Sequence, residues 1–262
     1  MELQEKVNAF AAGLLSLGLE PGDRVGIWSP NNSEWVVVQY ATAKAGLILV
    51  NINPAYRVAE LEYAINKVGC KALILASSFK SSDYVSMVGE LAPEICKSKP
   101  GDISCVRLPS LKTVIQIGGE TNDGYFDFEQ ISGLDSNKGR ERLEILSDEL
   151  QFDDPINIQF TSGTTGFPKG ATLTHFNVLN NGYFTGEGLK FTSIDKLCVP
   201  VPLYHCFGMV LSNVAALTHG AALVYPAEAF DPLTVLETVE AEQCTALHGV
   251  PTMFIAELGH PN

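Results

Sequence analysis

The chemistry of this chain is concentrated in ten consecutive residues, Thr161-Ser162-Gly163-Thr164-Thr165-Gly166-Phe167-Pro168-Lys169-Gly170. Three glycines let the backbone turn sharply and come close to a bulky anion. Four hydroxyls add donors, and successive backbone N–H groups can converge into an anion nest. Lys169 adds a positive charge on a flexible stem. The run follows the strand-like Ile156-Asn157-Ile158-Gln159-Phe160, and ligands of open parallel sheets bind beyond the carboxyl ends of strands. It is not a Walker A loop, because Pro168 breaks the G-K-[ST] arrangement, and G-x-G-x-x-G does not occur. The alternative, a flexible Gly- and Thr-rich surface turn, is disfavoured for a run this specific.

A second group lies further on. His205 falls in a strand-to-helix connection, with Pro202 before it and Phe207-Gly208 after it. Phe207, Met209, Leu211, Val250 and Met253 can line an apolar pocket, although apolar residues at helical spacing also read as plain core. The other histidines, 175, 219, 248 and 260, read as structural or surface groups.

These residues need elements to hold them. Val7, Phe10, Ala11, Leu14 and Leu17 recur at helical spacing until Gly18 and Pro21-Gly22 stop the pattern. Residues 24–28 read as a strand, 33–45 as a helix, 47–50 as a buried strand, 57–68 as a helix and 72–75 as a strand. Residues 97–110 and 118–154 interrupt the rhythm as loops and an insertion around one strand at 112–117. The alternation then resumes: a strand at 156–160, the loop, a helix at 174–184 and a strand near 196–200. A helix at 207–218, a strand at 221–225, a helix at 231–242, a strand at 245–248 and a helix from 251 complete it. Alternating helix and buried strand implies crossover connections, hence an α/β fold of parallel-sheet subdomains with helices on both faces.

Composition narrows the function classes. The 262 residues are 46% hydrophobic and 18% charged, a globular profile with room for a sizeable core. A net charge of −13 disfavours nucleic acid as a partner. Eleven acids against three bases between Glu120 and Asp154 read as a solvated surface. No apolar run is long enough to cross a bilayer, and Met1 to Lys6 open into a helical pattern rather than a secretory leader. The six cysteines lack C-x-x-C or zinc-like spacing and read as reduced, mostly buried thiols of an intracellular protein. Asn31-Asn32-Ser33 reads as a turn and helix N-cap rather than a glycosylation site.

The 161–170 run resembles the signature loop of the adenylate-forming (AMP-binding) superfamily. Asp154-Pro155-Ile156-Asn157-Ile158-Gln159-Phe160 and Gly170-Ala171-Thr172-Leu173-Thr174-His175 resemble, more narrowly, medium-chain acyl-CoA synthetases. So do Val50-Asn51-Ile52-Asn53-Pro54-Ala55-Tyr56, Pro202-Leu203-Tyr204-His205-Cys206-Phe207-Gly208 and Val250-Pro251-Thr252-Met253-Phe254. The resemblance implies the N-terminal part of the adenylate-forming fold and a two-step reaction. A carboxylate attacks the α-phosphate of ATP, giving an acyl-adenylate and pyrophosphate, and the thiol of coenzyme A then displaces AMP.

On that resemblance, Thr161, Ser162, Gly163, Thr164, Thr165, Gly166, Phe167, Pro168 and Lys169 would hold the β- and γ-phosphates, with Mg²⁺ bridging phosphate oxygens. His205 would lie between the acyl site and the α-phosphate, and no side chain is assigned as a metal ligand. Amino-acid-activating relatives place an Asp after a Phe where this chain has Tyr204-His205-Cys206-Phe207. Its absence argues for an acid without an α-amino group, hence a fatty or aryl acid, and the resemblance to medium-chain acyl-CoA synthetases implies a medium-chain one among the fatty acids. The family's later elements, including its adenine, ribose and hinge motifs and small C-terminal domain, are not found before Asn262. The expected organisation is therefore a partial AMP-binding domain over 1–262: a first α/β portion at 1–117, an acidic insertion or loop at 118–154, and a second α/β portion at 155–262. The expected compartment is the mitochondrial matrix or the cytoplasm, and the oligomeric state stays open. The alternatives are a non-catalytic nucleotide-binding fragment and a luciferase-like or aryl-acid–CoA ligase relative.

Overall fold

The computed structural model describes residues 2–134, 136–161 and 168–261. The chain divides into two compact units. The first holds residues 1–29 and 34–175, and the second holds 30–33 and 176–262.

In the first unit the elements are α1 (Glu2–Ser16), β1 (Arg24–Trp28), α2 (Ser33–Lys44), β2 (Ile48–Asn51), α3 (Val58–Val68) and β3 (Cys70–Ala76). They are followed by the two-residue strands β4 (Ser78–Phe79) and β5 (Ser82–Asp83), then α4 (Tyr84–Leu91), β6 (Thr113–Ile117) and β7 (Phe126–Asp127). Then come α5 (Phe128–Gly133), α6 (Asn137–Glu149), β8 (Pro155–Thr161) and β9 (Lys169–Thr174). Seven strands pair in the order β7-β6-β3-β1-β2-β8-β9. Every pairing is parallel except β8 with β9.

The central strands are buried on both faces, which is why they read as continuous apolar runs. On one face Trp28, Ile52, Leu73 and Ile158 pack with Leu61 and Ile65 of α3 and Tyr84 and Val88 of α4. Elsewhere Phe10 of α1 stacks on Phe128 of α5 at 4.4 Å between ring centroids. Gly13 lets α1 come this close, because a Cβ there would lie 2.0 Å from the Ile131 carbonyl oxygen.

After β2, residues Asn53 to Tyr56 are held as a turn, with the Tyr56 N–H donating to the Asn53 carbonyl. The Trp28 indole stacks on Tyr84 at 3.7 Å and donates to the Asn53 carbonyl, and the Tyr84 hydroxyl donates to the Pro54 carbonyl. The Asn53 side chain closes the turn by accepting from the Ala55 N–H.

Three expectations need correction. Residues 118–154 are not a plain loop or insertion: they hold β7, α5 and α6, and β7 extends the sheet beside β6. Charge hid α6, whose Ser136 N-cap accepts from the Gly139 N–H and whose Leu146 is buried. The boundary between units falls after His175 rather than at 155, because β8 pairs with β2 and β9 with β8. Residues 169–174, expected as loop and helix start, form β9.

The second unit contains α7 (His175–Leu189), β10 (Lys196–Cys198), a π-helix (Phe207–Val214), α8 (Ala215–His219), β11 (Ala222–Val224), α9 (Pro232–Glu242), β12 (Ala246–Leu247) and α10 (Pro251–Leu258). Its three strands are parallel in the order β11-β10-β12. The expected helix at 207–218 is thus two turns of π-helix followed by a short α-helix. Gly182 and Gly186 of α7 pack directly against Val214 and His219. All six cysteines are free; Cys70, Cys105 and Cys198 are buried, Cys206 and Cys244 half-buried, and Cys96 exposed. No helix among the described residues is long and apolar enough to cross a membrane.

Candidate functional site

The glycine- and threonine-rich run joins β8 to β9. Thr161 and Lys169 are opposed in the antiparallel register, so the run closes a hairpin at the carboxyl end of β8. β8 is parallel to β2, and β2 to β1, so the hairpin leaves from the edge of the sheet where parallel strands present ligand sites. Ser162, Gly163, Thr164, Thr165, Gly166 and Phe167 lie outside the described residues.

The two ends of the run are well placed. Thr161 and Lys169 are exposed, and no acid pairs with Lys169 among the described residues. Pro168 is fixed by the Tyr63 hydroxyl of α3, which donates to its carbonyl at 3.0 Å. Gly170 packs its backbone on Ile158, where a Cβ would be 3.1 Å from the side chain.

β8 separates two kinds of side chain by strand alternation. Ile158 and Phe160 join the apolar cluster, whereas Asn157 and Gln159 are buried on the other side. The Asn157 amide donates to the Leu49 carbonyl and to Asn51 Oδ1 at 3.0 and 2.9 Å. This polar row ties β8 to β2 immediately below the run.

The second site region lies in the second unit and is built around His205. Its ring is exposed, and its Nδ1 accepts from the Phe207 N–H at 3.2 Å. A ring whose Nδ1 accepts carries its proton on Nε2, leaving Nε2 free to donate to an anionic oxygen. The His205 carbonyl accepts from the Met209 N–H, and its N–H donates to the Pro202 carbonyl. Gly208 makes this fold-back possible: a Cβ there would stand 2.5 Å from the Pro202 carbonyl oxygen.

Two residues that hold this turn escaped sequence reasoning. Asn31, expected as a turn and cap residue, is buried. Its amide donates to the Val201 carbonyl at 2.9 Å and accepts from the Leu203 N–H at 2.8 Å. His248, expected as structural or surface, is half-buried, with Nδ1 2.8 Å from Ser212 Oγ and its ring 5.2 Å from that of Phe207. Burial lowers the His248 pKa, which favours the neutral ring. Neither partner is close in sequence, so no local signal marks them.

Of the expected pocket residues, Phe207, Met209 and Leu211 share the π-helix, with Met209 buried and the other two half-buried. Val250 caps α10 and accepts from the Met253 N–H, so these two share one helix start. The structure joins the two groups through His248, whose ring meets Phe207 and whose chain neighbour is Gly249. His219 serves structure, pairing with Glu187 at 3.1 Å. No group of three His, Cys, Asp or Glu gathers among the described residues.

Residues 1–262 match the AMP-binding enzyme family along their whole length. The chain is 46% identical over 263 residues to the mitochondrial medium-chain acyl-CoA ligase ACSF2 of Danio rerio, covering 100% of this chain and 43% of that protein. Among solved structures, ATP-bound MatB from Rhodopseudomonas palustris superposes with a TM-score of 0.76 at 28% identity, over 99% of this chain and 45% of that one. The inhibitor-bound N-terminal domain of FACL13 from Mycobacterium tuberculosis shares the fold, with a TM-score of 0.74 at 21% identity over 99% of this chain and 57% of that one. The chain thus spans less than half the length of the curated relative it matches.

Proposed function

We propose that this chain, which belongs to the AMP-binding enzyme family, is the front part of an ATP-dependent ligase. The ligase activates a medium-chain fatty acid to an acyl-adenylate and passes the acyl group to coenzyme A. The observation that carries the reading is the hairpin mouth, where Thr161 faces Lys169 across the phosphate-loop run and Tyr63 anchors Pro168. A carboxylate is a weak nucleophile, so activation at phosphorus rests on positioning and on stabilising the leaving charge.

In this reading Thr161, Ser162, Gly163, Thr164, Thr165, Gly166, Phe167, Pro168 and Lys169 hold the leaving pyrophosphate. A divalent cation bound with the nucleotide would supply further positive charge beside Lys169. His205 donates from Nε2 toward the carboxylate or the α-phosphate. Phe207, Met209, Leu211, Val250 and Met253 contact the acyl chain, and their apolar character suits an acid with no ammonium group. The medium-chain preference follows the Danio rerio relative, a medium-chain acyl-CoA ligase, and that relative's mitochondrial location is the ground for a mitochondrial one here. The free cysteines fit the matrix and the cytoplasm equally.

The test is acid-dependent exchange of labelled pyrophosphate into ATP, with octanoate, palmitate and a cinnamate-type acid. It is run on the 262-residue chain and on a longer polypeptide that contains it. Exchange is expected in the longer polypeptide, strongest with octanoate, lost in Lys169→Ala and at background in the shorter chain. Exchange with no acid, or exchange indifferent to Lys169, contradicts the reading.

A further inference from the structure

We propose that Ser212 and His248 are positioning residues that fix the tautomer of His205. The π-helix Phe207–Val214 sets the geometry. Its i→i+5 repeat, visible in the Ala215 N–H that donates to the Val210 carbonyl, sets Ser212 above Phe207 rather than above Gly208. The Ser212 hydroxyl uses this placement to donate to the Phe207 carbonyl at 3.0 Å. A hydroxyl has one proton. With that proton committed to Phe207, the 2.8 Å contact between Ser212 Oγ and His248 Nδ1 must be a bond donated by the imidazole.

The backbone of Phe207 is therefore tied at both ends. Its carbonyl is held by Ser212, which is held in turn by His248, and its N–H caps His205 Nδ1. The Phe207 and Phe191 rings pack near the His248 ring, at 5.2 and 6.3 Å between centroids. Ser212 is fully buried, so water does not replace the hydroxyl at that place without rearrangement. The π-turn lengthens this part of the chain by one residue per turn, and functional sites are where such turns recur. The chain of bonds runs from the connection after β12, through the π-helix, to the ring that the proposed reaction uses.

The meaning of this inference rests on the proposed role of His205, but its test does not. The test reads imidazole ¹⁵N resonances of the 262-residue chain by NMR. The wild-type chain is expected to show His205 as the Nε2–H tautomer. Ser212→Ala is expected to release Phe207, shifting the His205 Nδ1 resonance upfield toward the tautomer mixture of a free imidazole. Ser212→Thr keeps the hydroxyl and is expected to restore the wild-type position. His248→Phe tests the far end of the chain, and His248→Asn, which keeps a donor near the Nδ1 place, is the matching rescue. If Ser212→Ala does not fold, the His248→Phe and His248→Asn pair carries the same comparison. A folded Ser212→Ala or His248→Phe chain whose His205 resonances are unmoved overturns the proposal. So does a shift that the rescue variants share. An enzyme inactive in pyrophosphate exchange would leave this result intact and count only against the proposed function.

Discussion

Alanine in place of Asn31 is expected to lower the stability of the second unit by about 2–4 kcal/mol. The side chain is buried and makes two bonds to one loop, donating to the Val201 carbonyl and accepting from the Leu203 N–H. Removing it strands a buried acceptor and a buried donor, each at about 1–3 kcal/mol. The same loop leads into Tyr204-His205, so the loss also frees the backbone that presents the imidazole. Urea unfolding followed by circular dichroism, with hydrogen exchange at the Leu203 amide, measures both effects. A change below about 0.5 kcal/mol, the size of an ordinary surface substitution, would mean that the clamp is not formed.

Trp28→Ala is expected to cost the first unit about 3–5 kcal/mol, the range for removing a large buried aromatic. Trp28 has no exposed surface, stacks on Tyr84 and bonds the Asn53 carbonyl. Its loss opens a cavity beside the central strand and unties the turn at Asn53-Pro54. Trp28→Phe keeps part of the stack and loses the indole donor, so it should fall between wild type and alanine. The urea midpoint of the first unit reports the difference, and Trp35 remains as a fluorescent probe. Equal midpoints for Trp28→Ala and wild type would contradict the packing described for this face of the sheet.

Much of the fold was legible because the buried strands announce themselves. The runs at 24–28, 47–50 and 72–75 are apolar on both faces, and β1, β2 and β3 lie there. The proposed phosphate site rests on local signal of a different kind: the glycines, hydroxyls and lysine of residues 161–170 are adjacent in sequence. What stayed hidden is non-local or masked by charge. β9 is an edge strand with mostly exposed residues, and nothing in Lys169-Gly170-Ala171-Thr172 marks a strand until β8 pairs with it. α6 carries Leu143 and Leu146, with Leu150 at its C-cap, but its surrounding acids and bases read as a solvated surface. The π-helical form of Phe207–Val214 leaves no trace in an apolar run that suits any helix. Asn31 and His248 act through partners 170 and 36 residues away, a distance at which sequence spacing carries no information.

The central claim is that residues 161–170 form a site for the phosphates of ATP, and its most direct test is binding rather than turnover. Isothermal titration of the 262-residue chain with magnesium pyrophosphate, beside Lys169→Ala, measures it. A bond from a charged donor contributes about 1.5–3 kcal/mol, and each 1.4 kcal/mol is roughly tenfold in affinity. Saturable binding is therefore expected, weakened about ten- to a hundredfold by Lys169→Ala. Pyrophosphate that binds the variant as tightly as the wild type, or binds neither, would contradict it.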